Sequence, residues 1–179
     1  MTKEQYERWS APFRPEGAAK ALKITNRLLT YSCYVAYPLT LLWMLFHKDS
    51  RVIPAVLVPA VTFIAISIFR STYNAKRPYE VLDIQPIIIK HTKGHSFPSR
   101  HVFSCFVIAM TFLWLNPAVG AFFLAMGVML CFCRVIGGVH FPRDVIVGAA
   151  LGVLSGLAGY WLVTPALTGT LWTAMVVFS

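Results

Sequence analysis

Between residues 70 and 144 the chain collects side chains suited to one kind of chemistry: Arg70, Arg77, Ser99, Arg100, His101, Arg134, His140 and Asp144. Guanidinium forks stay charged at any working pH and grip tetrahedral oxyanions through paired N–H groups. Ser99 follows Pro98 just ahead of an apolar run, a helix-start position where its hydroxyl and the first free backbone N–H groups add donors. In phosphoryl transfer most catalysis is positioning and charge stabilisation, so several donors around one tetrahedral group fit that reaction. Two histidines divide the remaining work. A neutral imidazole attacks phosphorus and a protonated one supplies a proton to the leaving group. Asp144 lies four residues after His140, a spacing that predicts a meeting on one helical turn. The carboxylate then holds one ring N–H and turns the other nitrogen outward.

The elements between these residues must carry them to one place, and composition says what the elements are. Of 179 residues, 57% are hydrophobic and only 13% charged; an average soluble domain has roughly 25% charged residues. Such a chain cannot cover its own surface in water, which excludes a disordered protein and argues for a membrane protein. The 16 Lys and Arg against 7 Asp and Glu give a net charge of +9, but they are squeezed between apolar runs. A nucleic-acid partner needs them spread over a wet surface instead.

The pattern predicts an all-α, polytopic membrane helical bundle of about five to six transmembrane helices, the first run long enough to cross a bilayer core and the third, 101–115, short. The apolar runs cover about 28–46, 52–69, 101–115, 118–133 and 144–163, and 165–179 reads as a short sixth span, a re-entrant piece or an interfacial tail. Residues 1–26 read as an N-terminal interfacial segment in which Pro12 and Pro15 limit any helix, and 27–179 as the membrane-embedded domain. Asn116-Pro117 predicts a tight turn, and Gly148, Gly152 and Gly156 a flat ridge for close helix packing. Cys33, Cys105, Cys131 and Cys133 sit in apolar runs with no disulfide or metal spacing, and read as small buried residues.

Alternation of the spans gathers the reactive set on one face of the membrane. That face also takes all of the 16 Lys and Arg except Lys48 and Arg51. The positive-inside rule therefore points this face of a multi-pass cell-membrane protein to the cytoplasm. A site at helix ends lets a membrane-held phosphate head group enter sideways while its tails stay in lipid, so the expected partners are a lipid phosphate and the bilayer itself.

Arg70 through Arg77-Pro78, the run Pro98-Ser99-Arg100-His101, and Arg134 through His140 to Asp144 resemble, in order and spacing, the three signatures of the type 2 phosphatidic acid phosphatase family. The resemblance implies a lipid phosphate hydrolase working through a phosphohistidine, without metal or cofactor. By that resemblance His140 is the nucleophile, Asp144 its orienting partner and His101 the general acid. Arg70, Arg77, Ser99 and Arg134 hold the phosphate. Many bacterial members present the site on the outer face, against the charge count here. Three positions depart from the family pattern: Arg70 replaces the usual Lys, Cys133 the usual Ser, and Arg100 the usual Gly. Two roles are open to Arg100: the second phosphate of a diphosphate, or lipid head groups. A phosphotransferase would share every residue, whereas a non-catalytic lipid-phosphate binder has no use for two histidines and an aspartate in register.

Other candidates are weaker. His91 and His95 have a zinc-like spacing but no acidic or cysteine ligand beside them, so no metal is expected. Lys76, Lys90 and Lys93 read as solvated or lipid-contacting, and Glu80 and Asp83 as either orienting the arginines or capping a turn.

Overall fold

Thr2 and Gln5 close a capping box that starts helix α1 (Lys3–Ser10): the Thr2 hydroxyl accepts from the Gln5 N–H and the Gln5 side chain accepts from the Thr2 N–H. A single 3₁₀ turn, Ala11–Phe13, absorbs Pro12. Pro15 then sits just ahead of α2 (Glu16–Phe46), where its missing N–H costs no hydrogen bond. The prolines thus set where the long helix begins rather than preventing one. α2 runs unbroken across residues 26 and 27, so the polar N-terminal stretch and the first apolar run share a helix. Its 31 residues span about 46 Å at the α-helical rise, more than a bilayer core needs.

The structure, a computed structural model, describes residues 1–164; the run 165–179, a candidate sixth span by sequence, lies outside them. All regular elements among the described residues are helical. After α2 come α3 (Val52–Tyr73), a one-turn α4 (Pro78–Val81), α5 (Arg100–Leu115), α6 (Pro117–Ile136) and α7 (Pro142–Leu157), which continues into a π-helical turn over Ala158–Val163. α2, α3, α6 and α7 with its extension are long and apolar enough to cross a membrane, and α5 is a shorter apolar helix. The turn expected at Asn116-Pro117 is present: Asn116 Oδ1 accepts from the N–H groups of Ala118 and Val119 and caps α6.

α5 is the central element. Every residue from Val102 to Phe112 is buried, because α2, α3, α6 and α7 all pack on it. The lipid-facing role falls to the outer helices, where Leu39, Leu42, Leu57, Ile64, Phe122 and Phe132 are exposed. Apolar burial cannot drive helix association in lipid, so close backbone approach must. The glycine ridge of α7 supplies it. A Cβ at Gly148 would lie 2.8 Å from the Ser99 carbonyl oxygen, and one at Gly152 2.8 Å from that of Phe103. Deeper down, Thr111 of α5 and Tyr160 share a 2.7 Å hydroxyl–hydroxyl bond, with Tyr160 stacked on Trp114.

Candidate functional site

Three chain segments meet at one end of the bundle. α3 delivers Arg70 on its last turn and ends at Asn74, which takes a left-handed conformation (φ 42°). Arg77 then stands just before α4. The second segment is the 94–99 loop leading into α5. The third runs from Arg134, near the end of α6, through a turn at Gly138 (φ 75°) to His140 and the first turn of α7.

His140 and Asp144 form the buried centre, 1% and 0% exposed. Asp144 is the third residue of α7 and its Oδ2 accepts from the Phe141 N–H at 3.0 Å, in the manner of a helix-start carboxylate. The same oxygen lies 3.5 Å from His140 Nδ1. His140 precedes the helix, so the pair meets across the helix start rather than along one turn. On the opposite edge of the ring, Nε2 lies 3.5 Å from an Arg77 Nη1. Burial pulls the His140 imidazole down to about 4; the Asp144 hydrogen bond opposes this and the Arg77 charge adds to it. At neutral pH the ring is uncharged. With a carboxylate on the Nδ1 side, the favoured tautomer carries its proton there and leaves an Nε2 lone pair facing Arg77.

Ser96 completes this centre, and sequence reasoning passed over it. Its hydroxyl donates to Asp144 Oδ2 at 2.5 Å and lies 3.4 Å from His140 Nδ1. The remaining Asp144 oxygen, Oδ1, is buried without a hydrogen bond among the described residues, 3.6 Å from Arg143 Nε.

Two of the arginines also hold the 94–98 loop. Arg70 donates to the carbonyls of His95, Ser96 and Pro98. Arg77 donates to those of Gly94 and Val139, at 3.0 and 3.1 Å, joining the second and third segments. Glu80, left between two roles by sequence, caps: its Oε2 accepts from the N–H groups of Arg77 and Gly94. Asp83 pairs with Lys3 at 3.4 Å, away from the arginines. The His95 ring faces the Arg70 carbonyl at 3.0 Å. Among the described residues no cluster of potential metal ligands forms.

Ser99 stands at the expected helix start, but its hydroxyl caps nothing. Its N–H donates to the Asp144 carbonyl at 2.8 Å, while its Oγ is buried without a partner among the described residues. Arg134 is nearly as enclosed. One Nη donates to Thr30 of α2 at 3.1 Å, and its Nε is buried without a partner. His101, half-buried, lines a cleft of about 560 Å³ together with Arg134. Arg100 turns elsewhere: its guanidinium lies 5.7 Å over the Phe63 ring, on an apolar groove along α3 and α5. Lys90 is half-buried rather than solvated, and burial followed by repulsion from Arg134, Arg77, Arg70 and Arg100 pushes it down to about 8.

A multi-pass, all-helical membrane protein thus carries a buried histidine–carboxylate–serine cluster, ringed by arginines, at one end of its bundle. Residues 51–167 match the model of the PAP2 superfamily, and the chain belongs to that family. The bacitracin transport permease protein BcrC of Bacillus licheniformis is 32% identical over 130 residues, which cover 72% of this chain and 64% of that protein, a little under two thirds of its length. Undecaprenyl-diphosphatase BcrC of Bacillus subtilis is 28% identical over 134 residues, 72% of this chain and 68% of that one. The fold is similar to the crystal structure of Aquifex aeolicus LpxE, with a TM-score of 0.68 and 24% identity over 87% of this chain and 92% of that one.

Proposed function

We propose that the protein is an integral-membrane lipid phosphate phosphatase that cleaves the phosphomonoester or diphosphate head group of a membrane lipid. The observation that carries this reading is the buried His140, held between Asp144 with Ser96 on one edge and Arg77 on the other. The name of the Bacillus subtilis relative favours a polyprenyl diphosphate as the substrate.

In this mechanism His140 Nε2 attacks the terminal phosphorus and forms a phosphohistidine. His101 gives its proton to the departing oxygen, then takes one from the water that hydrolyses the intermediate. Asp144 stabilises the positive ring that develops. Arg77, Arg134, Arg70, Ser99 and the head of α5 stabilise the charge on the phosphoryl oxygens. Arginines supply the positive charge, so the mechanism calls for no metal. The partially unpaired Arg134 and Ser99 support their part in this. Residues 1–15, ahead of the continuous α2, fit an interfacial segment, and the Lys/Arg asymmetry supports a cytoplasm-facing site; reporters fused after His47 and near Lys90 test that orientation.

The deciding experiment measures phosphate release from short-chain phosphatidic acid and from a polyprenyl diphosphate, with purified protein in detergent and EDTA present. Wild type is expected to turn over at least one of them, and His140→Ala to lose all activity. Turnover surviving in His140→Ala, or lost with EDTA, overturns the mechanism.

A further inference from the structure

Two clefts open on either side of His101. The groove toward α3 is mostly apolar, lined by Pro59, Phe63, Val107 and Ile108 among others. The second cleft, about 560 Å³, has the opposite character. Lys23, Asn26, Arg27 and Thr30 line it from α2, with His101 and Arg134 also on its walls. Lys23–Arg27 and Asn26–Thr30 are both i, i+4 pairs, so the four residues form one stripe of the helix. No acidic residue lines the cleft.

Arg134 links the stripe to the site. Its side chain is 3% exposed and donates to Thr30 Oγ1, which itself donates to the Asn26 carbonyl at 2.8 Å. The Arg134 Nε, enclosed at the same place, has no partner among the described residues. Lys90 follows directly on Ile88 and Ile89, which also line the cleft. Its depressed proton affinity, caused by burial and then by four arginines with Arg134 foremost, marks a region of unbalanced positive charge.

A phosphomonoester carries at most two negative charges, and Arg70, Arg77 and Arg134 already exceed them. Lys23 and Arg27 add two basic side chains beyond Arg134, on the cleft wall, where a further anionic group can reach them. Cations at a membrane surface usually meet lipid head groups; these two, exposed on α2, line the same open cleft as His101 and the buried Arg134. They lie on α2, ahead of residue 51, where the family match begins.

We infer that Lys23 and Arg27 bind the second phosphate of a lipid diphosphate, the one that stays on the lipid after cleavage. The inference rests on the phosphatase reading above. In the reaction, water and the lipid diphosphate give inorganic phosphate and the lipid monophosphate. The anhydride P–O bond breaks, and its bridging oxygen stays on the phosphate held by α2 and takes the proton from His101.

The test compares farnesyl diphosphate with farnesyl monophosphate in mixed micelles, using the full chain, Lys23→Gln, and the double variant Lys23→Gln/Arg27→Gln. The diphosphate-to-monophosphate ratio of kcat/KM is expected to fall at least tenfold in the double variant and by less in Lys23→Gln, with Arg27→Lys keeping most of it. A ratio that stays within twofold, whatever happens to the absolute rates, overturns the subsite. Calorimetry with inorganic pyrophosphate and inorganic phosphate separates this from the broader reading. Wild type is expected to bind pyrophosphate at least tenfold more tightly, and the double variant to lose that preference. If neither lipid is hydrolysed but the pyrophosphate preference appears and is lost in the variant, the subsite stands and the phosphatase reading falls. No pyrophosphate preference in wild type overturns the subsite.

Discussion

Replacing Ser96 by alanine tests whether the His140–Asp144 pair needs a third member. Ser96 is fully buried, and its hydroxyl makes a 2.5 Å bond to Asp144 Oδ2. Removing it leaves that oxygen with the Phe141 N–H at 3.0 Å and His140 Nδ1 at 3.5 Å, so the carboxylate is not orphaned but can swing. A hydrogen bond to a charged group contributes roughly 1.5–3 kcal/mol. If all of that orients the imidazole in the transition state, kcat falls roughly 10- to 150-fold, at about 1.36 kcal/mol per tenfold. Arg70 reaches Ser96 only at its main-chain carbonyl, which Ser96→Ala keeps, so KM is expected to stay within a factor of about three. Steady-state phosphate release in detergent, with Ser96→Thr as the hydroxyl-retaining control, measures both parameters. Asp144→Asn should lose more activity than Ser96→Ala. The double variant should be no worse than Asp144→Asn alone, because both act through His140 Nδ1. A Ser96→Ala enzyme with unchanged kcat, or with its loss confined to KM, refutes the positioning role, as do two losses that multiply.

Protonation gives a second expectation. His140 is held at about 4 when folded and returns to about 6.5 when unfolded. The unfolded chain therefore binds the extra proton first, and stability declines by about 3 kcal/mol as pH falls from the unfolded value toward the folded one; thermal inactivation midpoints at pH 7 and 4.5 should show this, and His140→Gln should flatten it. The acid limb of kcat/KM should likewise lie near 4, where the free imidazole protonates, and a limb near 6.5 would contradict the buried setting. Gly152→Ala forces a methyl to within 2.7 Å of Phe106 Cβ and 2.8 Å of the Phe103 carbonyl oxygen; overpacking of this kind costs roughly 1–3 kcal/mol, so the melting temperature should drop. Gly17→Ala, with open space around it, should leave the melting temperature unchanged or raised. Arg134→Lys keeps the charge but loses the fork that reaches Thr30 at 3.1 Å; kcat/KM should fall by roughly tenfold to a hundredfold, and a near-normal value would show that point charge alone suffices.

The sequence told most where a local rule acts alone. Apolar runs of bilayer length marked the helices, Asn116-Pro117 the tight turn, and Gly148, Gly152 and Gly156 the face that α7 turns to α5. The start of α2 was hidden because Pro15 and the polar residues after it look like a breaker, whereas proline ahead of a first turn is harmless. Ser96 gave no signal at all. It is one hydroxyl in an irregular loop without periodicity, and its partner Asp144 is far along the chain. Arg70 and Arg100 show a different limit. Residue type announces a cation, but only the fold shows Arg70 spread over loop carbonyls and Arg100 resting on Phe63.

The burial of α5 has a mechanical consequence. A helix enclosed by its neighbours along most of its length does not touch the hydrocarbon directly. Changes in bilayer thickness or lipid order must act first on α2, α3 and α6, which can tilt or slide against lipid. Ser99, Arg100 and His101 ride at the head of the sheltered helix, so their spacing is insulated from the host membrane, and the apolar outer faces can vary in sequence without disturbing it.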